Sequence, residues 1–314
     1  MDYLIFVISL AALIWGADLL VAQSEKIALR FGISEYVIGA TLIALGTSLP
    51  EMAASVAASY DGKAQIAVSN VIGSNILNIT LVLAMVFLIA RRIDPHRDFF
   101  AKDSSWALFP VLIFVVMAYQ NEFTRFDGVL LILLMLAYLL FLRQNGSEIL
   151  ALEEEEIEEE ERAPFSWIRT IALLGAGFLL VLGGAEFTVE SASSIAKSLG
   201  VSEWIIGIVM ISMGTSMPEL IVSIVAASKG KADMAIGNII GSNMANITIV
   251  LGSASLVRDL KLDMTPYIFD IGVMIAATLM LLFITANKMY SKPAGISLLV
   301  LLALFLNHTL EALH

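Results

Sequence analysis

The sequence predicts an all-α membrane protein with ten transmembrane helices, arranged as two inverted five-helix repeats with broken helices at the second and seventh segments. Of its 314 residues, 59% are hydrophobic and only 15% are charged, which is far more apolar than a soluble domain. The mean hydropathy of +0.88 agrees with this. The most polar internal phrase of the chain also occurs twice at a fixed separation, which is typical of folds built from two copies of one unit.

Ten apolar segments can be read along the chain, each close to the length that crosses a bilayer. They cover residues 4–22, 36–60, 66–90, 106–120, 126–142, 167–187, 204–228, 234–257, 267–286 and 294–311. The first segment lacks a basic region before it and a clear cleavage site, so we expect a retained helix and not a signal peptide. The fourth and fifth segments are short, and the topology described next depends on both of them crossing.

An acidic linker divides the ten segments into five and five. It occupies residues 144–165, between a first repeat at 1–143 and a second repeat at 166–314. Because an odd number of crossings separates the two copies, the second copy enters the membrane from the opposite side to the first. The repeated polar phrases are then expected to meet near the middle of the bilayer.

The positive charges predict the orientation of the chain. With the N-terminus outside, 13 of the 18 Lys and Arg residues fall in cytoplasmic loops. An excess of Lys and Arg marks the cytoplasmic side of a membrane protein. We therefore expect an integral protein of the inner or plasma membrane, with both termini outside and the acidic linker in the cytoplasm.

The repeated phrase combines a helix break with a carboxylate. Residues 46–51 read Gly-Thr-Ser-Leu-Pro-Glu, and residues 214–219, which lie 168 positions later, read Gly-Thr-Ser-Met-Pro-Glu. Proline has no backbone N–H, so Pro50 and Pro218 should each break a helix and leave carbonyl oxygens free within the membrane. Such carbonyls need a partner from protein, from a water-filled cavity or from a cation.

Two glutamates follow the prolines directly and supply negative charge. Glu51 and Glu219 would lie in the first turn after each break, where the helix dipole favours a carboxylate. Two carboxylates repel each other unless a cation lies between them, and one Ca²⁺ neutralises both. Neutral oxygens accompany them, from Thr47, Ser48, Thr215 and Ser216 at the breaks and, at helical spacing on the following segments, from Asn70, Ser74, Asn78, Asn238, Ser242 and Asn246.

A purely structural interpretation competes with an ion site for each copy of the phrase. Proline, serine and threonine are ordinary in membrane helices, and asparagine can simply bond a neighbouring helix. The duplication, with an intramembrane acid in each copy, favours the ion site because such acids usually have a functional role.

Composition excludes several other chemistries. The chain has no cysteine, and its three histidines, His96, His308 and His314, lie away from the repeated phrases. No nucleotide-binding loop occurs, so ATP-driven transport has no support. We also expect no nucleic-acid partner. The run Glu153–Glu161 lacks the spaced ligands and turn glycine of a calcium loop, so we expect a solvated charge run and not a calcium sensor.

The two phrases resemble the alpha-repeats of the calcium/cation antiporter superfamily, in its sodium/calcium exchanger branch. The pattern is Gly-Thr-Ser-Leu/Met-Pro-Glu followed by Gly-Ser-Asn-x-x-Asn, and it is strongest over 36–83 and 204–251. The resemblance implies that Ca²⁺ and Na⁺ are transported, that no resident cofactor is needed, and that Glu51 and Glu219 bind both ions. It also implies Na⁺ contacts from Thr47, Ser48, Ser74, Thr215, Ser216, Ser242 and the carbonyls of Ala44 and Ser212, with Asn78 and Asn246 completing the central site.

The resemblance also bears on the driving ion. Proton-driven members usually carry Gly-Asn before their glutamate, whereas some archaeal members and the potassium-dependent exchangers carry Asp at the position of Asn246. The chain therefore resembles the members that are driven by sodium without potassium.

Two further acids occupy matching positions in the first and sixth segments. By resemblance these helices slide during transport, so Asp18 and Glu186 could line the ion entrance, with Glu190 one turn on. The alternative, which we favour, is that these carboxylates lie near a helix end and reach for water.

The sequence therefore favours Na⁺/Ca²⁺ antiport by alternating access within the lipid bilayer, and no enzymatic activity. H⁺/Ca²⁺ exchange through the same carboxylates is the nearest alternative, and a cation channel is the rival from another class. An intramembrane hydrolase comes third, because no His or Cys is available to assist a metal-bound water. A channel would pass current without a counter-ion, whereas an antiporter needs a gradient of the exchanged ion. The oligomeric state stays open.

Overall fold

A computed structural model describes residues 1–90, 93, 95, 97–145, 165–200 and 214–311. Within these residues the protein is helical apart from one short antiparallel sheet, in which β1 (Glu122–Phe123) pairs with β2 (Leu260–Lys261). The helices are α1 (Asp2–Phe31), α2 (Glu35–Thr47), α3 (Leu49–Tyr60), α4 (Ala64–Ile89), α5 (Phe99–Ala118), α6 (Arg125–Asn145), α7 (Trp167–Ser198), α8 (Met217–Ser228), α9 (Ala232–Val257), α10 (Ile268–Ala286) and α11 (Lys292–Glu311).

Most of these helices are long and apolar enough to cross a membrane. Among the described residues eight qualify, and α2 and α3 taken together as one bent span make a ninth. The expected seventh segment, 204–228, is described only from Gly214 onward, where it includes α8. The prediction of an all-helical membrane protein is confirmed.

The fourth and fifth crossings are longer than hydropathy indicated. The sequence predicts 106–120 and 126–142, whereas α5 has 20 residues and α6 has 21. Charged residues such as Asp103 lower the apolar signal at the start of α5, but Asp103 is fully buried and paired with Arg97. Both helices are long enough to cross, as the topology requires.

Capping residues set several of the helix ends. The hydroxyl of Ser34 accepts a hydrogen bond from the Val37 N–H at the start of α2, and the carboxylate of Asp98 accepts one from the Ala101 N–H at the start of α5. α1 ends at Gly32, whose φ of 59° is the left-handed conformation that glycine adopts without strain.

The first polar phrase lies at a bend between two helices. α2 ends at Thr47, α3 begins at Leu49, and the two helix axes differ in direction by 44°. Pro50 lies in the first turn of α3, and Pro218 lies correspondingly in the first turn of α8. Proline is tolerated at that position because the first N–H groups of a helix have no intrahelical partner.

Wide π-helical turns interrupt the two long helices that follow the polar phrases. One begins at Asn78 within α4, and the other begins at Asn246 within α9. The two asparagines are matched by the 168-residue repeat. π-turns are frequent at functional sites, and both of these start at residues that the sequence places in the candidate site.

Backbone-to-backbone contact holds α2 against α9. A Cβ added to Gly241 would overlap the carbonyl oxygen of Ala40, and one added to Gly237 would lie 2.5 Å from the carbonyl oxygen of Tyr36. Gly39 faces the Met234 carbonyl in the same way. Small residues allow such close approach between membrane helices, and here they bring the end of α2 next to α9.

This packing predicts a large effect of a single methyl group. Gly241→Ala should lower the free energy of unfolding by about 1–3 kcal/mol, because the new Cβ forces α2 and α9 apart. Gly272→Ala in α10 is the matched control, since a Cβ there meets no atom within 4 Å among the described residues. Thermal unfolding of the purified proteins, followed by fluorescence-detected size exclusion, measures the difference. Equal midpoints for the two variants would contradict the close packing of α2 and α9.

A buried polar cluster joins four helices and a loop at one end of the fold. The Arg97 guanidinium contacts the Asp103 carboxylate twice, with Nε–Oδ2 and Nη2–Oδ1 distances of 2.6 and 3.0 Å. It also lies 4.6 Å from the centre of the Tyr36 ring, and the hydroxyls of Tyr36 and Tyr138 are 3.3 Å apart. The Arg97 N–H donates to Asp233 at the start of α9. The cluster therefore ties the beginnings of α2, α5 and α9 to α6.

Ion pairs attach α1 to the short connection between α8 and α9. Lys229 Nζ lies 2.5 Å from Asp18 Oδ1, and Lys231 contacts both Glu25 and Glu35. Burial lowers the pKa of Lys231, but these two carboxylates together outweigh that effect and raise its pKa above the ordinary value. Lys231 therefore remains charged at neutral pH and bridges α1 and α2.

Candidate ion-binding site

Both repeated glutamates are buried at the start of a helix. Glu51 is in the first turn of α3 and Glu219 in the first turn of α8, with 1% and 0% of their surfaces exposed. The N-terminus of a helix favours a carboxylate because its first N–H groups carry partial positive charge. The local sequence, with Pro at the first turn and Glu directly after it, places each carboxylate at that position.

Contacts between the two copies bring these carboxylates together. Ser48 of the first copy donates a hydrogen bond to Glu219 Oε1 of the second at 3.2 Å. Thr47 and Ser242 also lie beside the Glu219 carboxylate, and Thr215 of the second copy lies beside that of Glu51. The two carboxylates are themselves close enough to repel each other. The structure therefore brings residues of both phrases into one cluster.

Asparagines on α4 and α9 brace the half-helices that carry the glutamates. Asn70 Nδ2 donates to the Glu51 carbonyl at 3.2 Å and to Ser55 Oγ at 2.9 Å. In the second copy Asn238 Nδ2 donates to Ser223 Oγ at 3.0 Å. Sequence reasoning overlooked Ser55 and Ser223, although each lies four residues after a glutamate and the two match at the same 168-residue offset.

The most informative feature of the cluster is a set of buried oxygens without hydrogen-bond partners in the described part of the chain. Such groups are few in native proteins and each needs an explanation. Six of them belong to residues that the sequence predicts as ion ligands, namely Glu51 Oε2, Glu219 Oε2, Asn78 Oδ1, Asn246 Oδ1, Ser216 Oγ and Ser242 Oγ. A dehydrated cation is a partner that satisfies carboxylate, amide and hydroxyl oxygens together.

The chemistry of this donor set suits a mobile cation of the hard, oxygen-preferring kind. Two carboxylates balance one divalent ion, and the neutral oxygens can replace the hydration shell of a monovalent ion. Among the described residues, no group of three or more His, Cys, Asp or Glu side chains is arranged to hold a metal. The carboxylates of the cluster that the structure describes are those of Glu51 and Glu219.

Other residues predicted for the site have different surroundings. The Ala44 carbonyl accepts hydrogen bonds from the Ser48 N–H at 3.1 Å and from Thr47 Oγ1 at 3.3 Å. Ser74 is buried on α4 with 3% exposure. Ser212 lies outside the described residues. The carbonyl predicted at Ala44 is thus positioned at the bend, where it already has two protein donors.

The two matched acids of the first and sixth segments differ in their contacts. Asp18 forms the ion pair with Lys229 described above. Glu186 instead lines a cavity of about 660 Å³ together with Glu190, Pro50, Thr215 and Pro218. Of the two acids, it is therefore Glu186 that shares a cavity with residues of both polar phrases.

A second cavity is lined by residues of both polar repeats. Its volume is about 300 Å³, and Asn70, Ser74, Thr215 and Asp270 are among its lining residues. Thr215 lines both cavities, so each reaches the second polar phrase. The larger cavity also carries the carboxylates of Glu186 and Glu190, and the smaller one carries the amide of Asn70 and the hydroxyl of Ser74.

The fold and the buried carboxylate pair place the chain among polytopic helical membrane proteins with paired intramembrane acids. A family model described as "Sodium/calcium exchanger protein" matches residues 1–143 and 169–310. The chain belongs to the sodium/calcium exchanger family. It is 31% identical to the sodium/calcium exchanger MaX1 of Methanosarcina acetivorans over 97% of both chains. It is 36% identical to the uncharacterized membrane protein MJ0091 of Methanocaldococcus jannaschii over 94% of both chains.

Solved structures give the same fold. A structure of the sodium-calcium exchanger NCX_Mj soaked with 2.5 mM Na⁺ and 0.1 mM Ca²⁺ superposes with a TM-score of 0.82 at 33% identity, over 98% of this chain and 97% of that one.

The chain is also 35% identical to the putative antiporter CaxA of Alkalimonas amylolytica over 88% of both chains. The predicted membership of the sodium/calcium exchanger branch is confirmed.

Proposed function

We propose that this protein is a secondary antiporter that exchanges Na⁺ for Ca²⁺ across the membrane, and that it is not an enzyme. The observation that carries the proposal is the buried cluster of unpartnered oxygens from both polar phrases, with a carboxylate from each. The relative MaX1 and the soaked NCX_Mj structures support the choice of Na⁺ and Ca²⁺ as substrates. The protein itself needs no resident cofactor in this proposal.

The ligand roles follow the chemistry of each group. Glu51 and Glu219 bind Ca²⁺ between their carboxylates and bind Na⁺ when Ca²⁺ has left. Asn78 and Asn246 supply neutral amide oxygens at the centre. The remaining Na⁺ ligands are the hydroxyls of Thr47, Ser48, Ser74, Thr215, Ser216 and Ser242 and the carbonyls of Ala44 and Ser212.

Alternating access would open one site first to one side of the membrane and then to the other. Ions would approach the site through the two cavities that Thr215 lines. In this proposal Glu186 lies along one path and attracts cations toward it, whereas the ion pair of Asp18 with Lys229 gives that acid a structural role.

The proposed architecture has ten helices in two inverted repeats, 1–143 and 166–314, joined by the acidic linker 144–165. The family model leaves the whole of this linker unmatched, which supports the division. The pairing of β1 with β2 supports the topology, since both strands belong to connections expected outside. The bond from Arg97 to Asp233 likewise joins two connections expected in the cytoplasm.

Single introduced cysteines test this orientation, because the natural chain has none. We expect Gln120→Cys, between α5 and α6, to react with a membrane-impermeant thiol reagent on intact cells. Ala151→Cys in the linker should react only after the cells are permeabilised. Labelling of Ala151→Cys from outside would contradict the inverted-repeat arrangement.

Two other functions, H⁺/Ca²⁺ exchange and a cation channel, would use the same residues in different ways. H⁺/Ca²⁺ exchange would titrate Glu51 and Glu219 and would leave the neutral hydroxyls without a role, since hydroxyls do not bind protons near pH 7. A cation channel would pass current with no counter-ion. The number and arrangement of the hydroxyl oxygens favour Na⁺ as the driving ion.

The exchange should move net charge in each cycle. Three Na⁺ per Ca²⁺, as the family resemblance implies, carry one positive charge outward for each Ca²⁺ taken up. A membrane potential acts on one charge with about 2.3 kcal/mol per 100 mV. Ca²⁺ uptake into Na⁺-loaded proteoliposomes should therefore accelerate when valinomycin and an inward K⁺ gradient make the interior positive.

A second set of vesicles distinguishes the effect of the membrane potential from a requirement for K⁺ as a transported ion. With choline in place of K⁺, uptake should continue, because Asn246 adds no third negative charge for an extra cation. Uptake that does not respond to the potential would contradict this stoichiometry, and uptake that stops in choline would show that K⁺ is cotransported.

A further inference from the structure

The two central asparagines occupy matching positions in the repeats but have different surroundings. Asn78 Nδ2 donates a hydrogen bond to Asn243 Oδ1 at 3.0 Å. Within the described residues, neither Nδ2 nor Oδ1 of Asn246 has a hydrogen-bond partner. The symmetry of the sequence is therefore broken at the centre of the candidate site.

A backbone carbonyl fixes the orientation of the Asn78 amide. Asn243 Nδ2 donates to the carbonyl oxygen of Asn75 at 3.4 Å, and a carbonyl can only accept. Asn243 must therefore present its nitrogen to Asn75 and its oxygen to Asn78. Asn78 must in turn present its nitrogen to Asn243, which leaves its Oδ1 buried, unpartnered and available to a cation.

The residue that matches Asn243 in the first repeat makes a different bond. Asn75 Nδ2 donates to the Val71 carbonyl of its own helix at 2.8 Å. Its amide is thus engaged one turn back along α4, and Asn246 gains no counterpart of the Asn243 contact. Only one of the two central amides is held across the interface between α4 and α9.

We propose that Asn243 is a positioning residue, which holds the Asn78 amide with its oxygen toward the transported ion. The inference rests on the proposed function of Asn78 as a ligand. An amide turned the other way would present its N–H₂ group, which is a donor and repels a cation. Asn243 thereby supplies one pre-oriented neutral oxygen to the site without touching the ion itself.

A double-mutant cycle tests the proposal through Ca²⁺ affinity. The variants are Asn78→Ala, Asn243→Ala and the double substitution, measured by calorimetric Ca²⁺ titration of the purified protein in Na⁺-free buffer. Each single variant should weaken Ca²⁺ binding by about five- to tenfold, the size expected for one lost polar interaction. The double variant should be no weaker than Asn78→Ala, because Asn243 acts only through Asn78.

The possible results separate the inference from the proposed function. If Asn78→Ala leaves Ca²⁺ affinity unchanged, the proposed central site is wrong. If Asn78→Ala weakens binding but Asn243→Ala weakens it by the same further factor in both backgrounds, Asn243 has a general structural effect and the positioning role is overturned.

Two further variants keep the test interpretable. Asn75→Ala is the matched control, because it keeps the backbone carbonyl that orients Asn243, and it should bind Ca²⁺ like the natural protein. Asn243→Leu has a similar volume and no acceptor, and it replaces Asn243→Ala if the smaller side chain prevents folding. Loss of affinity in Asn75→Ala equal to that in Asn243→Ala would also contradict the proposal.

Discussion

Replacing Glu51 or Glu219 with glutamine is expected to lower Ca²⁺ transport by at least about 100-fold, because the loss of one desolvated charge facing a cation costs several kcal/mol. Each carboxylate supplies half of the negative charge of the cluster, and both are fully buried. Glutamine keeps the size of the side chain and, at position 219, the ability to accept the hydrogen bond from Ser48, so the fold should be retained. Initial rates of ⁴⁵Ca²⁺ uptake into proteoliposomes measure the effect.

The surface residue Glu122 provides the matched control for these substitutions. It lies at the sheet, where it forms an ion pair with Lys261, far along the chain from either phrase. Glu122→Gln should transport Ca²⁺ at the natural rate. Uptake close to that of the natural protein in either Glu51→Gln or Glu219→Gln would remove that carboxylate from the site.

Asp103→Ala is expected to lower the free energy of unfolding by about 3–5 kcal/mol, because it leaves the buried charge of Arg97 without its partner. The side chains of Arg97 and Asp103 are 7% and 0% exposed. Burial lowers the pKa of Arg97, but the hydrogen bonds and charge of Asp103 more than restore it and raise it above the ordinary value. SDS-induced unfolding of the purified protein in mild detergent measures the loss.

A double substitution distinguishes a lost ion pair from lost packing. Replacing both residues with leucine removes the unpaired charge, so Arg97→Leu with Asp103→Leu should be less destabilised than Asp103→Ala alone. If the double variant is the less stable of the two, burial of an unpaired charge is not the cause of the effect.

The sequence predicted the centre of the candidate site better than its supporting contacts. Glu51, Glu219 and the neutral oxygens could be named because two copies of one phrase repeat residue types that are rare in membrane helices. The hydrogen bonds of Asn70 and Asn238 to Ser55 and Ser223 depend on how neighbouring half-helices pack, which periodicity does not contain. The difference between Asn243 and Asn75 could not be predicted, because the repeat makes these two residues equivalent.

The fold was likewise predicted in outline, with errors where charges are buried. Hydropathy predicted too short a helix around Asp103, because a charged residue lowers the apolar signal even when it is buried against a partner. Their matching positions in the repeat gave Asp18 and Glu186 the same prediction, whereas the structure pairs Asp18 with Lys229 and places Glu186 in the lining of a cavity. In each case the surroundings of the charged side chain depend on tertiary contacts, which neither hydropathy nor the repeat pattern contains.

The most direct measurement of the central claim is ⁴⁵Ca²⁺ uptake into proteoliposomes loaded with Na⁺, K⁺ or choline, each with and without a protonophore. If the buried oxygens bind Na⁺ and Ca²⁺ in turn, only the Na⁺-loaded vesicles will accumulate Ca²⁺, and the protonophore will not stop them. Accumulation that follows an imposed pH gradient and ignores internal Na⁺ would contradict the account and assign the two carboxylates to proton exchange.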